Sequence, residues 1–141
     1  MGYILDNIVA IGAAALAAFL WGGLYYRVLR APYLAALGPN AARAERRPGW
    51  LHYGFIFAAE FWMACILAGA VILAPAEAGA WTMAIGSAVV IWCGFVLPVL
   101  FVSYRLAGLR GALIAIDAAH WLGAMVIIAA TVRAIGVTGP G

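Results

Sequence analysis

Lysine is absent from this chain, and charged residues of any kind make up only 9% of its 141 residues. A soluble domain carries about 25%. Hydrophobic residues reach 68%, more than a sphere of 14.8 kDa can hide from water. These figures exclude an ordinary soluble enzyme, a disordered regulator and a nucleic-acid binder. Cysteine is scarce too: Cys65 and Cys93 lie inside apolar runs, with no CxxC or Cys/His spacing, so no zinc or redox motif is present. They read as small buried hydrophobes. No Gly-rich phosphate loop and no nucleophile–base pair appears, and Ser87 and Ser103 have no His near them in sequence. The N-terminus lacks the basic segment of a cleavable signal, and its apolar run extends to about residue 26, beyond the usual core of about 7–15 residues.

Long charge-free runs are what the chain does have. Residues 8–26 and 78–104 hold no charge, 48–76 hold only Glu60, and 111–132 only Asp117. About 20 apolar residues suffice to cross about 30 Å of hydrocarbon as a helix. A backbone in lipid must satisfy its own hydrogen bonds, so runs of this length are helices. The expected fold is all-α: an integral membrane four-helix bundle in a single transmembrane domain. Its helices are expected at about 4–28, 50–74, 80–104 and 110–135.

The connections differ in charge. The first, about 29–49, carries Arg30, Arg43, Arg46 and Arg47, with Arg27 at the preceding helix end. The third lies between Arg105 and Arg110. Two helices separate these loops, so they share a side. The positive-inside rule assigns them to the cytoplasm and both termini to the outside, as in a multi-pass protein of the inner membrane. Within the first loop, residues 31–37 form an amphipathic tract, and Asn40 could cap a short helix over 41–47 ending before Pro48. Trp50, His52 and Tyr53 fit an inner aromatic belt and Trp81 an outer one.

Two features concern packing. Ala10, Ala14, Ala18 and Gly22 recur every four residues on helix one, a small-residue stripe of the kind that lets helices approach closely in lipid. Pro98 removes a backbone hydrogen bond inside helix three and predicts a kink. A short internal echo joins Leu20-Trp21-Gly22-Gly23-Leu24 to Ile91-Trp92-Cys93-Gly94-Phe95, consistent with a parallel repeat of helix pairs.

The ionisable residues inside the spans carry the functional expectation. Glu60 lies about ten residues into helix two, about 15 Å deep, and Asp117 and His120 lie about 10–15 Å into helix four from the same side. The last two are three apart and share a face. A charge at that depth costs roughly 2.5–3.5 kcal/mol, so all three are expected to face the interior and meet in one site. Burial and mutual pairing act oppositely on their charge, which makes a bistable proton site one outcome. Three readings stand open: a polar knot that fixes helix register, a site for a small molecule, ion or proton, and a metal site of two carboxylates and one imidazole. Bis-His haem fits poorly, because His52 and His120 differ by about 15 Å in depth. The residues leave the cofactor, metal or haem included, unknown. Tyr26, Trp92 and Pro98 are expected in the wall of the site, since helices one and three must cover it. Asp6 reads as an interfacial charge near a helix start.

Residues 23–29, followed by Tyr33 and Gly38, resemble a pattern that closes helix one in a family of small four-helix bacterial membrane proteins known only as a domain of unknown function. Here Tyr25 stands for the family's Trp and Val28 for its Pro. Trp92-Cys93-Gly94-Phe95-Val96-Leu97-Pro98 is close to that family's Trp-x-Gly-Phe-Val-x-Pro, and Asp117-Ala118-Ala119-His120 resembles its Asn-x-Tyr-His, with Asp for Asn. The resemblance spans nearly the whole chain. It implies the fold and a membrane location and assigns no activity. The function expected from the residues is binding or transport through the buried site. The alternatives are an accessory subunit that packs against a larger membrane complex, or a small membrane enzyme or metal-binding protein. The bilayer itself, a second copy or such a complex are the partners envisaged, with no nucleic acid.

Overall fold

The computed structural model describes residues 2–44, 49–75, 77 and 79–139. Four helices are long and apolar enough to cross a membrane: α1 (Ile8–Val28), α2 (Trp50–Leu73), α3 (Ala80–Leu106) and α4 (Gly111–Ile135). A short helix, Gly2–Asp6, precedes α1, with a break at Asn7. The first connection folds as a helix Arg30–Leu37, a 3₁₀ turn Gly38–Asn40 and a helix Ala41–Ala44. The remainder of the helix expected over 41–47 lies outside the described residues.

Helix α4 is the centre of the bundle and packs against the other three. Ten of its side chains are buried, from Leu113 to Val132. By contrast α3 buries only Ala84 and Ala88, and its Val90, Phe95, Val99 and Phe101 point outward, the pattern of a helix that faces lipid on most sides. Ala10, Ala14 and Ala18 of α1 are buried, together with Ile11 and Ala15. With Ala64, Leu67 and Ala68 of α2 and Ala124, Met125, Ile128, Ala129 and Val132 of α4, all of these but Ala10 make a closely packed apolar core in the half of the bundle near the termini. There, small side chains bring the backbones together. Gly69 is part of this fit, since a Cβ on it would stand 2.9 Å from the Tyr3 hydroxyl, which donates to the Cys65 carbonyl.

Each end of the bundle is tied. At the terminal end the Asn7 amide donates to the Thr138 carbonyl and its oxygen accepts from the Thr138 N–H, both at 2.9 Å. At the opposite end Arg110 donates to the Ala35 carbonyl at 3.0 Å and its guanidinium covers Gly38, which holds a positive φ of 58°. The arginine-bearing connection therefore docks on the start of α4.

Before Pro98, α3 widens into a π-helical turn, Trp92–Val96. Proline lacks the N–H that would close the preceding turn and its ring crowds the carbonyl there. A π turn absorbs that mismatch within a continuing helix. It also sets Trp92 so that its indole N–H donates to the Ala118 carbonyl of α4 at 2.9 Å. Trp21, its counterpart in the sequence echo, donates from α1 to the His120 carbonyl at 3.2 Å. Two tryptophans thus brace α4 from different neighbours. Gly123 makes room for the first: a Cβ there would fall 2.6 Å from the Trp21 ring.

Candidate functional site

Three buried ionisable side chains lie in the half of the bundle nearest the arginine-bearing connection. Glu60 is 2% exposed, His120 4% and Asp117 5%. Their surroundings differ. Asp117 accepts two hydrogen bonds of 2.7 Å, from the Tyr26 hydroxyl on Oδ1 and from the Tyr104 hydroxyl on Oδ2. Hydrogen bonds of this length to a carboxylate are charge-assisted and strong. Tyr25, one residue earlier on α1, donates to the Ile116 carbonyl at 2.9 Å. Asp117 is thereby the polar junction of α1, α3 and α4.

Glu60 and His120 meet elsewhere, on either side of Gly22. A Cβ on Gly22 would stand 3.1 Å from His120 Nε2 and 3.7 Å from Glu60 Oε1. Only glycine lets α1 come this close to both groups. They do not bond each other. Glu60 Oε2 and both ring nitrogens of His120 are buried without a hydrogen-bond partner. Aromatic rings surround the imidazole: Tyr26 at 4.7 Å, Trp121 at 5.0 Å and Tyr25 at 5.4 Å between centroids.

Beside this pair, α1, α2 and the Arg30–Leu37 helix line a cleft of about 1060 Å³, at the upper end of ligand-site volumes. Glu60, His120 and Gly22 form its floor. Its walls include Phe19, Tyr26, Ile56 and Trp121, and Arg27, Arg30 and His52 stand toward its mouth. Phe55 and Ala59 of α2, on one flank, are exposed, so the cleft opens sideways between the two helices as well as toward the connection. Tyr33, whose ring lies 5.1 Å from that of Tyr26, also lines it; burial, and behind it the Asp117 charge, pushes the Tyr33 hydroxyl up from its ordinary value.

The residues expected to share one site therefore divide. Glu60 and His120 lie together on the cleft floor. Asp117 is behind the wall, linked to the cleft through Tyr26. Of the three wall residues expected, Tyr26 lines the cleft, whereas Trp92 and Pro98 do not. The reason is the position of α3, which packs against α4 and α2 and contributes no lining residue. Among the described residues, no group of three or more His, Cys, Asp or Glu side chains comes close enough together to hold a metal ion.

Several contributors escape the sequence reading. Tyr104 gives no signal of its own, because its role depends on how α3 and α4 pair. Arg27 and Arg30 were legible as topology signals, and His52 and Tyr53 as belt residues, yet they stand at the mouth of the cleft. Gly22 was legible as a member of the small-residue stripe; its neighbours, an imidazole and a carboxylate, were not.

No curated protein and no solved structure matches the chain. A family model described as "Protein of unknown function (DUF1761)" matches residues 9–132, a stretch that holds all four spans up to the last turn of α4, the whole cleft and the Asp117 junction. The chain belongs to the DUF1761 family.

Proposed function

We propose that this is a multi-pass inner-membrane protein that binds a small lipophilic molecule in the cleft, with Glu60 and His120 holding its polar end. One observation carries the reading: two buried side chains with unpartnered polar atoms, Glu60 and His120, line a cavity large enough for a ligand. A buried donor or acceptor left unsatisfied costs about 1–3 kcal/mol. A purely structural knot would pair such groups, as the tyrosines pair with Asp117. The packed core beneath the floor supports binding over passage through the bundle. A cleft with two ionisable side chains on its floor also favours this reading over that of an accessory subunit, which needs only an apolar flank.

The test is native mass spectrometry of the protein purified in mild detergent. Wild-type protein should retain a low-mass molecule. Ala59→Trp, which fills the cleft from its exposed flank, should release it while the protein stays folded. A wild-type protein that carries nothing, or equal retention by the variant, contradicts the proposal.

The orientation belongs to the same proposal: the arginine-bearing end of the cleft in the cytoplasm and both termini outside. With Cys65 and Cys93 replaced, a cysteine at residue 43 should resist impermeant labelling of intact cells and one at residue 2 should react. The reverse pattern would invert the topology.

A further inference from the structure

We infer that the mouth of the cleft is a site for the headgroup of an anionic phospholipid, with one acyl chain lying in the sideways opening between α1 and α2. Such a site asks nothing of Glu60 or His120 and goes beyond the binding role proposed for the floor. Arg27 and Arg30 line the cleft from either side of the break at Leu29, and both are exposed. His52, in the first turn of α2, lines it as well and is exposed too. An arginine guanidinium pairs with phosphate oxygens two at a time and stays charged. An imidazole carries at least one ring N–H in every protonation state, so His52 is a further donor to the same group. Among the described residues that line the cleft, Glu60 is the only carboxylate. It is buried at the far end, about 12 Å from His52 by helix rise. The mouth is therefore cationic, and an anion is its complement.

Position and shape select a lipid over a soluble phosphate. Arg27 is in the last turn of α1 and His52 in the first turn of α2, so both stand where the spans end, at the level of bilayer headgroups. Basic pockets between spans at that level are where anionic lipid heads bind. Tyr33 and Tyr53 line the same end, rings with a polar tip of the kind found there. Deeper in, the flank toward the bilayer is low. Gly23 of α1 and Ala59 of α2 are exposed, and a Cβ on Gly23 would meet nothing within 4 Å. An acyl chain passes over these small residues and packs on the exposed ring of Phe55. A soluble phosphate ester would have no use for that apolar flank.

Fluorescence anisotropy of acyl-labelled phosphatidylglycerol and phosphatidylcholine, titrated with delipidated protein in neutral detergent, tests this. Wild-type protein should bind phosphatidylglycerol at least about tenfold more tightly than phosphatidylcholine, whose choline cation would face the two arginines. Arg27→Gln alone should reduce that preference by about threefold, and Arg27→Gln with Arg30→Gln should bring it to about twofold or less. Arg105, exposed at the same end of the bundle on α3, lines no part of the cleft, and Arg105→Gln should leave the preference unchanged. Millimolar inorganic phosphate should not displace the bound lipid. Equal binding of the two lipids overturns the assignment. An equal loss in Arg105→Gln also overturns it, by reducing the effect to diffuse charge attraction. Displacement by inorganic phosphate would make the mouth a site for a soluble phosphate instead.

Discussion

Along α1, Ala10, Ile11, Ala14, Ala15 and Ala18 meet the neighbouring helices through small apolar side chains that leave no exposed surface or almost none. One turn further on, Trp21, Gly22, Tyr25 and Tyr26 meet the same helices through indole and phenol groups around a carboxylate and an imidazole. The first half is closed by shape alone. The second is joined to α4 by direct hydrogen bonds from its indole and phenol groups, and the cleft lies on its α2 side. In lipid there is no hydrophobic drive to press helices together, so close approach comes from small residues and polar contacts. The comparison shows both solutions on one helix, and it shows that the polar one leaves room for a cleft.

The same contrast separates Asp117 from Glu60. Both are buried carboxylates at similar depth. Asp117 has a phenol on each oxygen, and Glu60 has an oxygen with none. Matching donors to acceptors is what structural polar groups in proteins do, so Asp117 reads as the brace and Glu60 as the group reserved for something else. Mutations at the two positions should behave differently.

The largest effect is expected at the brace. Asp117→Leu leaves the Tyr26 and Tyr104 hydroxyls without their acceptor and should lower stability by about 3 kcal/mol, read as reduced resistance to denaturant in mixed micelles. Asp117→Asn keeps one acceptor and should cost less. Equal tolerance of both would dissolve the distinction between the two carboxylates. Next comes Gly123→Ala, which sets a methyl group against the Trp21 ring at 2.6 Å. Overpacking of this kind costs about 1–3 kcal/mol, and Trp21 is anchored through its N–H, so a loss of about 2 kcal/mol is expected. Trp21→Phe in the same background should recover part of it. No recovery would mean that the indole is not what fills the space beside Gly123.

Much of this was legible from the sequence. The four charge-free runs define the spans because a backbone in hydrocarbon has so few options. The depth of Glu60 and His120 followed from counting residues along helices. What counting could not supply was rotation and neighbourhood. Asp117 and His120 share a helical face at a spacing of three and both touch Tyr26, yet Asp117 is bonded on to Tyr104 while His120 packs against Gly22. Trp92 and Pro98 sit at a reasonable depth for a site wall, but α3 lies off the cleft, and no local pattern reveals which of two apolar helices will stand beside a third. The π turn at Trp92–Val96 was foreshadowed by Pro98 as a kink; that it aims an indole at α4 depends on the packing.

The smallest expected effect tests the central claim most directly. Glu60→Leu removes a buried carboxylate that the folded protein leaves partly unpaired. The decisive measurement is the thermal midpoint of this variant against wild type, both in detergent after exhaustive removal of bound small molecules. If Glu60 is kept for a ligand, the midpoint should be unchanged or higher, since a buried unmatched charge or dipole only costs stability. If the midpoint falls by several degrees, as it should for Asp117→Leu, Glu60 is structural glue and the account of the cleft as a binding site is wrong.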